Sequence, residues 1–167
     1  LLLMWEKAWD FIRRAFTVIF AATIVIWFLQ NFDVRLNVVG QGSGDSLLAI
    51  IGTWLAPIFA PLGFGDWRVA TALVTGLMAK EAVISTLGVL MGVGANLGSA
   101  ALGSLFTLPS AVSFLVFCLL YTPCVAALAA LRRELGSGVK TVLVMASQCC
   151  VAWLAAFCVY TLIGVIL

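Results

Sequence analysis

Histidine is absent from this sequence, and charge is scarce. Nine basic and seven acidic residues make up only 10% of 167 positions. Without imidazole there is no Ser-His-Asp triad, no histidine-ligated zinc or haem, and no histidine acid–base chemistry. A water-soluble domain carries about 25% charged residues, so these few cannot cover a globule in water. The net charge of +2 is small and dispersed, which excludes the electrostatic footprint of a nucleic-acid binder. The five cysteines lie in or beside apolar runs without a paired framework, so no disulfides are expected. No GxxxxGK[ST] phosphate loop occurs, which rules out nucleotide binding by that route. The opening LLLMWEKAWDFIRR lacks a basic segment followed by a cleavage site, and reads as part of a longer chain rather than a signal peptide.

What is present is apolar. Hydrophobic residues make up 64% of the chain and the mean hydropathy is +1.20. One helical span needs about 20 apolar residues. The expectation is an all-α polytopic transmembrane bundle with four or five membrane segments. Leu1, Trp5, Trp9, Ile12 and Phe16 fall on one helical face, and Asp10 can pair with Arg14 at i,i+4. Residues 1–14 therefore read as an interfacial amphipathic helix, its tryptophans at the membrane boundary. It runs into a first span over 15–30. Residues 31–46, with GQGSG, are a solvated loop. Residues 47–62 are short and broken by Pro57 and Pro61, hence thin or re-entrant. Residues 69–93 read as one span with Lys80 and Glu81 in its middle. Residues 94–109 are Gly/Ser-rich and loop-like. Residues 110–131 span again, with Pro123 as an interruption. Residues 132–140 form a charged loop, and 141–167 the last span. In domain terms this gives a gate-type membrane repeat over 15–93 and a C-terminal helical pair over 110–167. Lys7, Arg13, Arg14, Arg68, Arg132, Arg133 and Lys140 fall on the cytoplasmic side if 47–62 crosses, leaving Arg35 outside.

Lys80 and Glu81 are the most informative residues. A continuous helix would put Lys80 about 18 Å from Arg68, near the centre of a roughly 30 Å hydrocarbon layer. A charge there costs about 2.5–3.5 kcal/mol on insertion scales and marks a polar cavity or partner. Glu81, Ser85, Gly88 and Gly92 form a small, polar stripe, and Gly88 with Gly92 makes a GxxxG approach motif. One reading is a carboxylate lining a cation path; the bland one is a Lys–Glu network that locks helices together. Tyr121-Thr122-Pro123-Cys124 is the second site. Pro123 frees carbonyls near Leu119 and Leu120, as in membrane helices that line substrate sites. Cys124 adds a soft thiol, suited to softer transition metals. The alternative is an ordinary proline kink beside a small apolar cysteine. Cys118, Cys149, Cys150 and Cys158 read as packing. Adjacent Cys149 and Cys150 point to different faces, so at most one is expected at a given site.

The runs WEKAWDFIRRAFTVIFAATIVIWFL, FGDWRVATALVTGLMAKEAVISTLGVL and FLVFCLLYTPCVAALAALRREL, in this order, resemble the C-terminal membrane region of the ferrous iron transporter B family. The resemblance covers about residues 4–160. It implies a second gate repeat plus the C-terminal segment of a bacterial inner-membrane Fe²⁺ importer. An N-terminal G domain, with its GTP and Mg²⁺, and a first gate repeat would lie outside this chain. Fe²⁺ is then the transported substrate, with no resident cofactor and no catalytic residue here. The implied partners are the lipid bilayer, those missing domains, further copies of the chain and a small cytoplasmic accessory protein. Carried over by position, Cys124 matches the family's membrane cysteine on the metal path, and Lys80-Glu81 its mid-helix charged pair. Ser85, Tyr121 and Pro123 have gating or structural places. Two rivals remain: a gate-type transporter of nucleosides or other small solutes, and a non-transporting assembly element. A membrane enzyme is the weakest reading, since no second carboxylate or cofactor motif accompanies Glu81.

Overall fold

The computed structural model describes residues 2–40, 42–93, 99–121 and 124–166. Among them it is an all-α bundle, with one isolated antiparallel bridge between Phe32 and Val38. The helices are α1 (Leu2–Asn31), α2 (Leu47–Phe59), α3 (Trp67–Gly76), α4 (Glu81–Leu90), α5 (Ser99–Leu105), α6 (Leu108–Leu120), α7 (Val125–Leu135) and α8 (Gly138–Ile166). The expected amphipathic entry and first span form one continuous helix, α1. Within the described residues, Gly138–Val165 is long and apolar enough to cross a membrane alone. Residues 47–62 and α3 form a pair bent by 103°, and α6 and α7 a pair bent by 41°. Phe16–Asn31 and Glu81–Leu90 are shorter apolar helices. The expected Asp10–Arg14 pairing and the Pro123 break fall outside the described residues.

Caps explain where the helices begin. Ser46 accepts from the Ala49 N–H at 3.2 Å and opens α2; Asp66 accepts from the Arg68 N–H at 2.7 Å and opens α3. The Ser110 hydroxyl accepts from the Thr107 N–H at 2.8 Å at the head of α6. Pro57 and Pro61 tighten the end of α2 into a 3-10 turn over Ala60–Leu62. The Ile58 carbonyl beside that turn accepts from the Trp153 indole at 2.9 Å, which ties α2 to α8. Trp153→Phe removes that donor and is expected to cost about 1 kcal/mol. Chemical unfolding in detergent micelles would measure it.

Four expectations change. Residues 69–93 are not one helix: α3 ends at Gly76 and α4 starts at Glu81. The Leu77 and Met78 N–H groups bond back to Val74 and Thr75, an i+3 tightening that ends α3. Lys80 therefore does not lie on a continuous rise from Arg68. Residues 132–140 are not a loop, because α7 runs to Leu135 and α8 restarts at Gly138. Arg132 and Arg133 suit the negative end of α7, and Gly136, at φ 62, closes it in the left-handed conformation. Residues 99–105 of the expected loop are helical. Gly92, at φ 70, lies past the end of α4 with no described residue within 4 Å of a Cβ built there, so it stops the helix, while Gly88 is buried within α4.

The core joins these elements through an aromatic ladder. Phe59, Phe64, Phe114 and Phe117 pair at ring-centroid distances of 5.3–6.1 Å, and Tyr121 stacks on Phe117 at 5.4 Å. Against α6, α8 presents Ala152 and Ala156, both fully buried. These small residues let the backbones approach, and the buried Ser113 hydroxyl donates to the Ala156 carbonyl at 2.9 Å. Tyr121, at the end of the ladder, is thereby fixed where α6 stops.

Candidate functional site

Two helices break at the same level, and each break repairs the other. The first lies between α3 and α4, the second between α6 and α7. A broken helix leaves carbonyls without partners at one end and N–H groups at the other. Here the Val125 N–H, at the head of α7, donates to the Leu77 carbonyl at 2.8 Å. The Lys80 ammonium donates to the Leu119 carbonyl at 3.1 Å and to the Tyr121 carbonyl at 3.4 Å. A cation thus meets the negative end of α6, and a carbonyl the positive end of α7, as the helix dipoles favour. Lys80 Nζ also lies 5.2 Å from the centroid of the Tyr121 ring, within cation–π range. The tyrosine is buried, and its hydroxyl reaches the Leu73 carbonyl at 3.5 Å. Gly76 is required beneath it, since a Cβ there would collide with the Tyr121 hydroxyl and with Val83.

Glu81 and Cys124 flank this junction. Glu81 is exposed in the first turn of α4, next to Lys80; Cys124 is half-buried at the N-cap of α7, next to Val125. Among the described residues no group of three or more Cys, Asp or Glu side chains is placed to hold a metal ion. Glu81 and Cys124 are the chain neighbours of Lys80 and Val125, the two residues that bond across the breaks. Ser85 stands one turn along α4 from Glu81 and lines a separate polar cavity of about 160 Å³ with Gln30, Ser46, Thr71 and Thr86.

Lys80 and Tyr121 are thus brought into contact, with Cys124 at the same junction and Ser85 beyond it. Sequence reasoning missed the backbone partners. Nothing in the spacing shows that Leu77 and Val125 meet, because that depends on two breaks at one level. It also separated Cys149 from Cys150, whereas both line an apolar cavity of about 450 Å³ with Phe117, Tyr121 and Trp153.

Comparison with known proteins adds an independent line. A family profile described as "Gate: Nucleoside recognition" matches residues 12–138. The chain is 39% identical over 140 residues to the Fe(2+) transporter FeoB of Methanocaldococcus jannaschii, covering 79% of this chain and 20% of that protein. It is 35% identical over 156 residues to the Fe(2+) transporter FeoB of Staphylococcus aureus strain COL, covering 93% and 23%. For the Fe(2+) transporter FeoB of Campylobacter jejuni the figures are 32% over 167 residues, 93% and 27%. The chain spans about a fifth to a quarter of the length of these relatives. No solved structure matches it.

Proposed function

Since this chain belongs to the Gate family and is a relative of the FeoB Fe(2+) transporters, we propose that it forms part of the Fe²⁺ path of an importer in a bacterial inner membrane. The observation that carries the reading is the crossing of two broken helices with Glu81 and Cys124 at its sides. Discontinuous helices serve transporters in this way: helix ends and unwound carbonyls supply ligands where a continuous helix has none to spare. Lys80 satisfies the Leu119 and Tyr121 carbonyls and holds the break open. Glu81 would attract the cation and replace part of its water. The Cys124 thiol would favour a softer divalent metal over Mg²⁺ or Ca²⁺. One carboxylate and one thiol bind firmly enough to compete with hydration and weakly enough to release, which conduction requires.

In this reading the driving GTPase, with its Mg²⁺, and a first gate repeat lie outside the chain. The bilayer, further copies and a small cytoplasmic protein are its partners. Exposed Trp5 and Trp9, stacked at 6.5 Å on α1, support contact with the membrane interface. Arg13 and Arg132–Glu134 offer charged surface for docking the nucleotide domain.

The family description favours a second reading, uptake of a nucleoside. Small-molecule pockets run to about 300–1,000 Å³ with a few placed polar groups. The polar cavity here is smaller, at about 160 Å³, and the 450 Å³ cavity is almost wholly apolar. The first is too small for a nucleoside, and the second lacks the polar groups that would read one.

The test is anaerobic Fe²⁺ uptake by cells producing the full-length protein with Glu81→Gln or Cys124→Ser, with membrane abundance measured alongside. Each is expected to lower uptake about tenfold at unchanged abundance, the loss of one contact of roughly 1.4 kcal/mol. Uptake at the wild-type rate in both variants overturns the site. Competition by uridine but not by Mn²⁺ would favour the nucleoside.

A further inference from the structure

The apolar cavity of about 450 Å³ lies where four helices meet, with Leu55 and Phe59 of α2, Leu73 and Leu77 of α3, Phe117 of α6 and Trp153 of α8 among its walls. None of its described lining residues is charged. The two polar rings spend their hydrogens elsewhere: the Trp153 indole on the Ile58 carbonyl at 2.9 Å, the Tyr121 hydroxyl on the Leu73 carbonyl at 3.5 Å. The thiols of Cys149 and Cys150 are weak donors. A trapped water needs about two to four polar partners, and an apolar cavity without them stays dry. A void also leaves its lining atoms without dispersion contacts. Hydrocarbon is the filling that restores them.

Depth decides the source of that hydrocarbon. Gly138–Val165 is long and apolar enough to cross a membrane, and Cys150 and Trp153 stand at its middle. Two of the residues lining the cavity, Ile58 and Cys150, are exposed, and they mark its mouth. Trp54, one turn before Ile58, is 82% exposed, and Leu154, one turn after Cys150, is 57% exposed. Residues four apart share a helix face, so the mouth is continuous with the bare apolar surface of α8 at the level of lipid tails. A solute in water does not reach that depth from the side; an acyl chain does. The size agrees. A cavity of about 150 Å³ holds one benzene, so the 450 Å³ present takes about three such volumes, on the order of 18 carbons. That is one acyl chain, not two.

We propose that this cavity holds one acyl chain of a bilayer lipid, inserted sideways between α2 and α8. The site rests on α8 crossing the membrane and not on the ion-path reading. Its place gives the chain a task. Leu77 and Tyr121 line the cavity, and theirs are carbonyls that accept from Val125 and Lys80 across the two breaks. The chain would pack behind that junction and support both residues from the side away from Lys80.

The test uses the full-length protein in nanodiscs of phosphatidylcholine that carries a diazirine at mid-chain. Illumination followed by peptide mass spectrometry reads where the chains lie. Adducts are expected within residues 55–59 and 149–153, and also at Leu162 and Val165, which are 62% and 87% exposed on α8. Val74, a lining residue of α3, carries the variant. Val74→Trp puts an indole into the cavity and is expected to lower labelling there at least fivefold, with Leu162 and Val165 unchanged. The wild-type protein moved from nanodiscs into detergent before illumination is expected to lose the labels at Leu162 and Val165 first, because the cavity encloses its chain and the open face does not. Labelled Leu162 beside an unlabelled cavity in the wild-type protein overturns the proposal, since another part of the protein then fills the space. Cavity labelling that folded Val74→Trp leaves unchanged overturns it too. Should that variant not fold, equal loss of cavity and surface labels in detergent is the overturning result.

Discussion

Replacing Lys80 with methionine is expected to abolish most transport while leaving the protein in the membrane. The ammonium is the donor that the Leu119 and Tyr121 carbonyls share at the end of α6. Without it both face a low-dielectric region unpaired, and an unsatisfied polar group there costs several kcal/mol. The α6 end must then rewind or admit water, and either change moves Tyr121 and the adjoining Cys124. Insertion itself should not suffer, because removing a lysine from an apolar segment lowers its insertion cost. The two effects have opposite signs, which makes the variant informative. Abundance should hold or rise, and Fe²⁺ uptake per molecule should fall at least tenfold, as expected when a charged hydrogen bond of about 1.5–3 kcal/mol is lost. Lys80→Arg keeps the charge and can reach two carbonyls with its fork, so it should retain more than half of the activity. Wild-type uptake by Lys80→Met would show that the junction closes without its cation.

The bundle class was legible because composition alone decides it. Charge is too sparse for water and the apolar runs too long for a soluble core. Lys80 stood out for a related reason: a charge is conspicuous in an apolar stretch, and the structure joins it to the Leu119 and Tyr121 carbonyls. What could not be read was how the chain breaks around them. From Val69 to Glu81 nothing but Gly76 opposes a continuous helix, and a single glycine costs only about 1 kcal/mol. The helix stops there because Tyr121 occupies the space above Gly76 and Val125 takes the Leu77 carbonyl. Both residues are more than forty positions away. The charged stretch after Leu131 failed for a local reason. Arg132 and Arg133 looked like loop residues, yet they stabilise the last turn of α7. Cys149 and Cys150 were separated by helical phase, but both line the same cavity.

Gly76 is where the break and the fold depend on the same atom, and Gly76→Val tests that dependence. A Cβ at Gly76 would meet the Tyr121 hydroxyl on one side and the Val83 side chain on the other. Neither neighbour can yield freely. Tyr121 is stacked on Phe117 at 5.4 Å and lies under the Lys80 ammonium, and Val83 is buried two residues after Glu81. Relief therefore separates α3 from α4 or pushes Tyr121 off its stack, at a cost of about 1–3 kcal/mol for overpacking. Valine is expected to lower both the unfolding midpoint in detergent and Fe²⁺ uptake per molecule. Gly103→Ala and Gly164→Ala, where a Cβ meets nothing within 4 Å, are the matched controls and should change neither. The decisive comparison is Gly76→Ala with and without Tyr121→Phe. Phenylalanine removes the oxygen that blocks the Cβ and forfeits only a long 3.5 Å bond to Leu73. If the collision is the cause, Tyr121→Phe is mildly harmful alone and restorative beside alanine, a coupling of about 0.5–3 kcal/mol. Simple additivity of the two changes would mean that the Val83 side chain, rather than Tyr121, sets the cost of a Cβ at Gly76.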